Sequence, residues 1–313
     1  MKRALAAAVL SAALAMATGA LAEPLAYVAL ADAGKVAVVD VGTGNVVRTF
    51  PVAVSPHGIA VSADGRLVFV PDLSRKKWIQ VLDARTGGEI RRVMVGAPAH
   101  HLALAPDGRR LYATLTSVGQ LAMIELNNWR VRTVKVGGAP DYAVPASDGK
   151  RVYVSDIEGS TLAVVDPAVA RIRTRIRIGG KPGHGVVTAD GTRGYFTSTG
   201  TGAISVIDLE QERQIGAVST GADPHGVAIG YGGRRLFVSN HRDGTVTVIN
   251  LATLDREGTI PVGEGPEHVT ATPDGRLILV AMPEGKVVVV IDAERLEIIQ
   301  RAPLNGEPHQ IAF

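Results

Sequence analysis

Eight histidines stand in this chain of 313 residues, and seven of them keep register with a recurring Asp-Gly pair. The pairs are Asp64-Gly65, Asp107-Gly108, Asp148-Gly149, Asp190-Gly191 and Asp274-Gly275, with Gly232-Gly233 as a degenerate copy. His57, His100 and His225 fall seven residues before their pairs, whereas His101, His184 and His268 fall six before theirs. Pro308-His309 aligns with Pro56-His57 and Pro224-His225 and so continues the first column. With a period near 42, random placement would put on the order of 0.4 histidines in those two columns.

Metal coordination is the chemistry most directly served by converging imidazoles. Neutral imidazole suits copper and zinc, and three or four such ligands satisfy one ion. Asp141 and Glu267 occupy the first column where no histidine does, and either could ligate or hold an imidazole tautomer. His241, the one histidine outside the columns, follows Asn240 and is a weaker candidate, as are the two carboxylates. There is no cysteine, hence no thiolate ligand, no disulfide and no Cys-x-x-Cys-His for covalent haem. A haem held by an axial histidine stays open as a less favoured alternative. So does a plain reading, in which histidine is a polar filler inherited by each repeat and bonded to carbonyls and water. Neighbouring residues of a strand point to opposite sides, so the sequence leaves open which column faces the common space. If protons compete for these nitrogens, metal affinity is expected to fall steeply through the histidine range of pH.

The elements that must carry these residues are short strands. Tyr27-Val28-Ala29-Leu30, Val36-Ala37-Val38-Val39-Asp40 and Val46-Val47-Arg48-Thr49-Phe50 are β-branched runs separated by Gly34, Gly42 and Gly44. Gly58-Ile59-Ala60-Val61 follows, closed by the hairpin signal Asp64-Gly65. Four strands at this period make one blade of a β-propeller. First-strand starts near 57, 100, 141, 183, 225, 267 and 309 predict seven blades. The last start supplies one strand only, and the segments from Tyr27 to Val52 supply the other three. The expected fold is therefore an all-β, seven-bladed propeller over residues 23–313, its ring closed by pairing the C-terminal strand with the N-terminal ones. First-strand starts and the loops between second and third strands share one face, so the histidines are expected at the mouth of the central channel.

Tyr153-Val154-Ser155-Asp156, Phe237-Val238-Ser239-Asn240 and Tyr27-Val28-Ala29-Leu30 resemble the Tyr-Val-Thr-Asn motif of the bacterial YVTN repeats, the YncE-like and cytochrome d1-like propellers. Each is followed by a valine-rich strand, as in Thr245-Val246-Thr247-Val248-Ile249-Asn250. The resemblance covers residues 25–313 and implies the propeller fold. It implies little about activity, since propellers of this kind serve many roles, haem binding and lactone hydrolysis among them.

Residues 1–22 read as a secretory signal: Lys2 and Arg3, an apolar run from Ala4 to Ala17, and Ala20-Leu21-Ala22 before the cleavage point. A periplasmic or secreted protein with no membrane span after processing is expected. Without Lys2 and Arg3 the chain carries 31 basic against 30 acidic residues, which argues against a general nucleic-acid surface. Arg75-Lys76-Lys77-Trp78 reads as a solvated loop, and Arg171, Arg173, Arg175 and Arg177 as the wet face of an outer strand. The leading functional expectation is a monomeric copper or zinc carrier or chaperone, not an enzyme, that serves a metal transporter or another periplasmic protein. A haem or tetrapyrrole protein with a redox or cofactor-maturation role comes second, and a scaffold without cofactor third.

Overall fold

The computed structural model describes residues 24–52, 55–73 and 75–313; the expected signal lies outside them. These residues form seven antiparallel four-stranded sheets. Six are built from consecutive strands, and one is composite: Leu25–Leu30, Lys35–Asp40 and Val46–Pro51 are completed by Pro308–Ala312. The closure pairs Tyr27 with Ala312, Val28 with Ile311 and Leu30 with Pro308. The predicted ring is therefore present. The composite sheet is blade one, and blades two to seven follow in chain order. Among the described residues no helix is long and apolar enough to cross a membrane.

Burial explains the sequence pattern. Second and third strands are packed by neighbouring blades on both faces, so they read as unbroken apolar runs such as Val287–Asp292 (VVVVID) and Leu277–Met282 (LILVAM). Outermost strands have one wet face and alternate, as in Arg171–Arg177, where the arginines are exposed and the isoleucines are not. The core is divided among the blade junctions. Between blades seven and one, for example, Leu279 and Ala281 pack with Val28, Leu30 and Ile311. On the face away from the histidines the hairpin glycines adopt left-handed φ, 67° at Gly65 and 69° at Gly275, which non-glycine residues rarely tolerate.

Candidate functional site

The histidine columns lie where the regular ladder breaks. In blades one, four, five and six the innermost strand slips register over the paired column positions. Asp141-Tyr142 face Ser155 alone, Gly183-His184 face Thr197, His225-Gly226 face Ser239, and His309-Gln310 face Ala29. In blade three Thr114 accepts from His100 N–H and donates to His101 O (2.9 and 3.1 Å). Ala281 does the same with Glu267 and His268 in blade seven (3.0 and 2.8 Å). Each is a β-bulge, in which two residues oppose one and side chains are re-aimed. Strict alternation is therefore suspended at this point, and both columns reach the channel.

The third residue of the Tyr-Val-Thr-Asn repeat stabilises the bulge. Its hydroxyl takes the N–H that the ladder cannot use: Thr114 Oγ1 from His101 (3.0 Å), Ser155 Oγ from Tyr142 (2.9 Å), Ser239 Oγ from Gly226 (2.7 Å). Thr114 also donates to Asp141 O (2.8 Å), and Ser239 donates to Glu267 O, so each hydroxyl ties its bulge to the next blade. The fourth residue clamps the approach to the column. Asp72 accepts from Ser55 N–H (3.0 Å), Asp156 from Ala139 N–H (3.0 Å) and Asn240 from Gly221 N–H (2.9 Å). Asp72 and Asp156 are buried in this work, and no side chain of theirs enters the histidine groups.

The first column forms a half-buried upper tier and the second a buried lower tier. His57, His100, Asp141, His225, Glu267 and His309 are partly exposed, whereas His101, His184 and His268 are only 4, 4 and 5 % exposed. At Gly226 the blades approach too closely for a side chain. A Cβ on Gly226 would lie 2.4 Å from Glu267 O, beside the 3.0 Å bond from Gly226 N–H to that same carbonyl. Gly226→Ala is therefore expected to destabilise the fold by about 1–3 kcal/mol through forced backbone shift, read as a lowered Tm; an unchanged Tm would show that the ring relaxes freely.

Seven histidine rings and one tyrosine join into a single cluster. Centroids lie 4.4 Å apart for His57–His100 and His184–His225, 4.6 Å for His57–His309 and 4.7 Å for His184–His268. Tyr142 stacks between His101 (3.5 Å) and His184 (4.3 Å). Within the cluster, two groups of three bring their ligand atoms within 4.8 Å of one another: His57, His268, His309, and His184, His225, His268. His268 belongs to both. Its Nε2 is buried with no hydrogen-bond partner among the described residues.

The remaining candidates are placed differently. His101 is engaged on both edges, by Ala143 N–H at Nδ1 (3.3 Å) and by Gln310 Nε2 at its own Nε2 (3.1 Å). His100 Nδ1 lies 3.2 Å from Asp141 Oδ1. Glu267 links rim to interior, with Oε1 3.8 Å from His241 Nε2 and Oε2 3.2 Å from His309 Nδ1. His241 itself lines an open cleft with Asp243, Glu264 and Glu284 between blades six and seven. Tyr142 and Gln310 are site residues that composition did not reveal. Their signal was positional, since both occupy the second column.

Burial and mutual proximity keep His57, His101, His184 and His268 neutral. Burial first, and then neighbouring His100 and His309, lower His57 from 6.5 to about 2. The same two causes hold His184 and His268 well below their ordinary value. Burial also lowers His225, against the opposing pull of Glu267 and Asp141. Burial pushes Glu267 up, but nearby His309, His225 and His241 outweigh it and the net shift is downward. Burial raises the Tyr142 phenol, which is a neutral group at neutral pH.

Several solved structures share this architecture. A putative 6-phosphogluconolactonase from Bacteroides fragilis superposes with a TM-score of 0.79 at 15% identity, covering 94% of this chain and 98% of that one. Kuenenia stuttgartiensis hydrazine synthase gives a TM-score of 0.75 at 19% identity over 84% and 90%. Dihydro-haem d1 dehydrogenase NirN, in complex with DHE, gives 0.71 at 20% identity over 92% and 74%. At these identities the likeness is one of fold. No curated protein sequence matches the chain. The family model of the YNCE-like β-propellers matches residues 112–312, most of the chain, a span that includes Ser155, Asp156, Ser239 and Asn240; the protein belongs to the YncE-like β-propeller family.

Proposed function

We propose that this propeller binds one transition-metal ion, copper or zinc, in the imidazole cluster at its channel mouth and acts as a carrier or chaperone for it outside the cytoplasm. The observation that carries the reading is the pair of three-imidazole groups sharing His268, in which His225 Nδ1, His268 Nε2 and His309 Nδ1 are buried without a hydrogen-bond partner among the described residues. Buried, neutral imidazoles are the protonation state a metal requires. A tetrahedral zinc–imidazole set at ~2.0–2.1 Å brings its nitrogens to roughly 3.4 Å of each other, so a modest inward rotation of each ring would close either group. Glu267 Oε2 stands 3.2 Å from His309 Nδ1 without an aligned hydrogen bond; a small ring rotation would let the carboxylate hold the Nδ1 proton and leave Nε2 for a metal. Charge favours a single divalent ion, because Glu267 and Asp141 are the two carboxylates at this level of the channel.

The pKa directions revise the expected pH dependence. The unfolded chain protonates its histidines as pH falls below 6.5, while the folded protein resists doing so. Stability conferred by the neutral state is therefore complete above about pH 6.5 and lost steadily on acidification. His57 alone costs about 2 kcal/mol by pH 5. The apo-protein is expected to melt at lower temperature at pH 5 than at pH 7.5. Calorimetric zinc titration should show affinity falling far less over that range than for exposed imidazoles, because few protons compete within the folded site. A Tm independent of pH would contradict the buried neutral cluster, and absence of zinc and copper binding would remove the metal reading. The fold shared with a haem-enzyme structure favours tetrapyrrole as the second reading; a Soret band in protein isolated from its native compartment would support it.

A further inference from the structure

One sector of the upper tier is empty. Around the ring that tier runs His57, His100, Asp141, Gly183, His225, Glu267 and His309, and only Gly183 contributes no side chain. The space is a cavity of about 130 Å³ lined by Asp141, Lys181, His184, Thr197, Thr199 and His225. Two of these, His184 and His225, belong to the imidazole group completed by His268. Gly183 is not held open by backbone need, since its φ is ordinary for a strand; a Cβ there would lie 3.0 Å from Thr197 Oγ1 and 3.9 Å from Asp141 Oδ2. The Lys181 side chain is exposed and makes no hydrogen bond or ion pair among the described residues.

We infer that this cavity is a binding site for a small oxyanion or carboxylate, of the size of carbonate or acetate, that completes the coordination of a metal held by His184, His225 and His268. The inference rests on the metal reading above. Three imidazoles leave a tetrahedral ion one open position. The cavity abuts two of the three ligands, so the open position faces it. A bound divalent ion and the Lys181 ammonium together exceed the Asp141 and Glu267 carboxylates by one charge, and Asp141 is already engaged by His100 at 3.2 Å, so the cavity selects an anion. Thr199 lines the same wall and offers its hydroxyl to an anion oxygen, whereas Thr197 donates to His184 O (3.2 Å) and holds that ligand in place.

The test uses cobalt(II) as a spectroscopic stand-in for zinc, with acetate as the anion and perchlorate at equal ionic strength as control. In the wild type, acetate should alter the visible cobalt bands saturably. Thr199→Val, which keeps the size of the side chain and removes its hydroxyl, should retain cobalt and weaken the acetate response. Lys181→Gln, a solvent-facing change that the fold tolerates, should retain cobalt and weaken acetate about tenfold, the scale of one lost charged contact. Wild-type protein that binds cobalt but ignores acetate overturns the inference and leaves the metal reading standing. So does an acetate response that persists unchanged in both variants. Wild-type protein that takes up no cobalt overturns the metal reading itself.

Discussion

Replacing His268 by alanine is expected to weaken zinc binding at least about 1,000-fold, while His57→Ala or His225→Ala should each cost less than about tenfold. The contrast follows from connectivity. His57 serves only the group with His268 and His309, and His225 only the group with His184 and His268. Removal of either leaves one complete set of three. Removal of His268 leaves two imidazoles in each, and loss of a direct ligand exceeds the 10–100-fold effect of losing a supporting residue. His101→Ala is the control: its nitrogens are engaged by Ala143 and Gln310 and its ring by Tyr142, so stability should fall with little change in affinity. Calorimetric titration of the four variants decides the matter. Equal losses in His57→Ala, His225→Ala and His268→Ala would mean that one extended site draws on all of them. Unchanged affinity in His268→Ala would exclude both groups.

Deleting residues 308–313 should open the ring and lower stability by at least about 5 kcal/mol, roughly 8 °C in Tm for a chain of this length. The strand contributes Ile311, only 4 % exposed, to the core between blades seven and one. Burial of such a side chain stabilises by ~1.5–3 kcal/mol, and each net ladder hydrogen bond adds about 1. Its loss also uncovers the Leu25–Leu30 strand as a bare inner edge. Ile311→Ala, which keeps His309 and the backbone pairing, should cost about 2–4 kcal/mol. Thermal unfolding of both, beside the intact chain, measures the closure; a deletion that melts with the full-length protein would show that the remaining six blades hold the ring shut.

The architecture was legible because a propeller is a repeat whose units interact mainly with their neighbours. Strand length, the Asp-Gly hairpins and the period near 42 each report local backbone preference, and local preference is written directly in residue type. The count of seven and the composite blade followed from Pro308-His309 and Tyr27 standing at opposite ends of one incomplete repeat. Even the outer strand at Arg171–Arg177 declared its wet face by alternation. The histidine columns were equally plain as a pattern, since seven of eight histidines fell in them.

Which of those histidines share a site was decided by tertiary structure. Strand periodicity alone sends His100 and His101 to opposite sides, and the bulge opposite Thr114 cancels that rule. A bulge is chosen by the ladder on the neighbouring strand and by hydroxyls 13 residues away, such as Thr114 for His101 and Ser239 for Gly226. The low pKa of His57 likewise came from assembly: an isolated imidazole titrates near 6.5, and only the packing of blades around His57 carries it to about 2. The grouping into two sets that meet at His268 depends on distances across the channel, between residues such as His57 and His268 more than 200 positions apart. Sequence determines what each blade presents to the axis; the closed ring determines which presented groups stand close enough to act together.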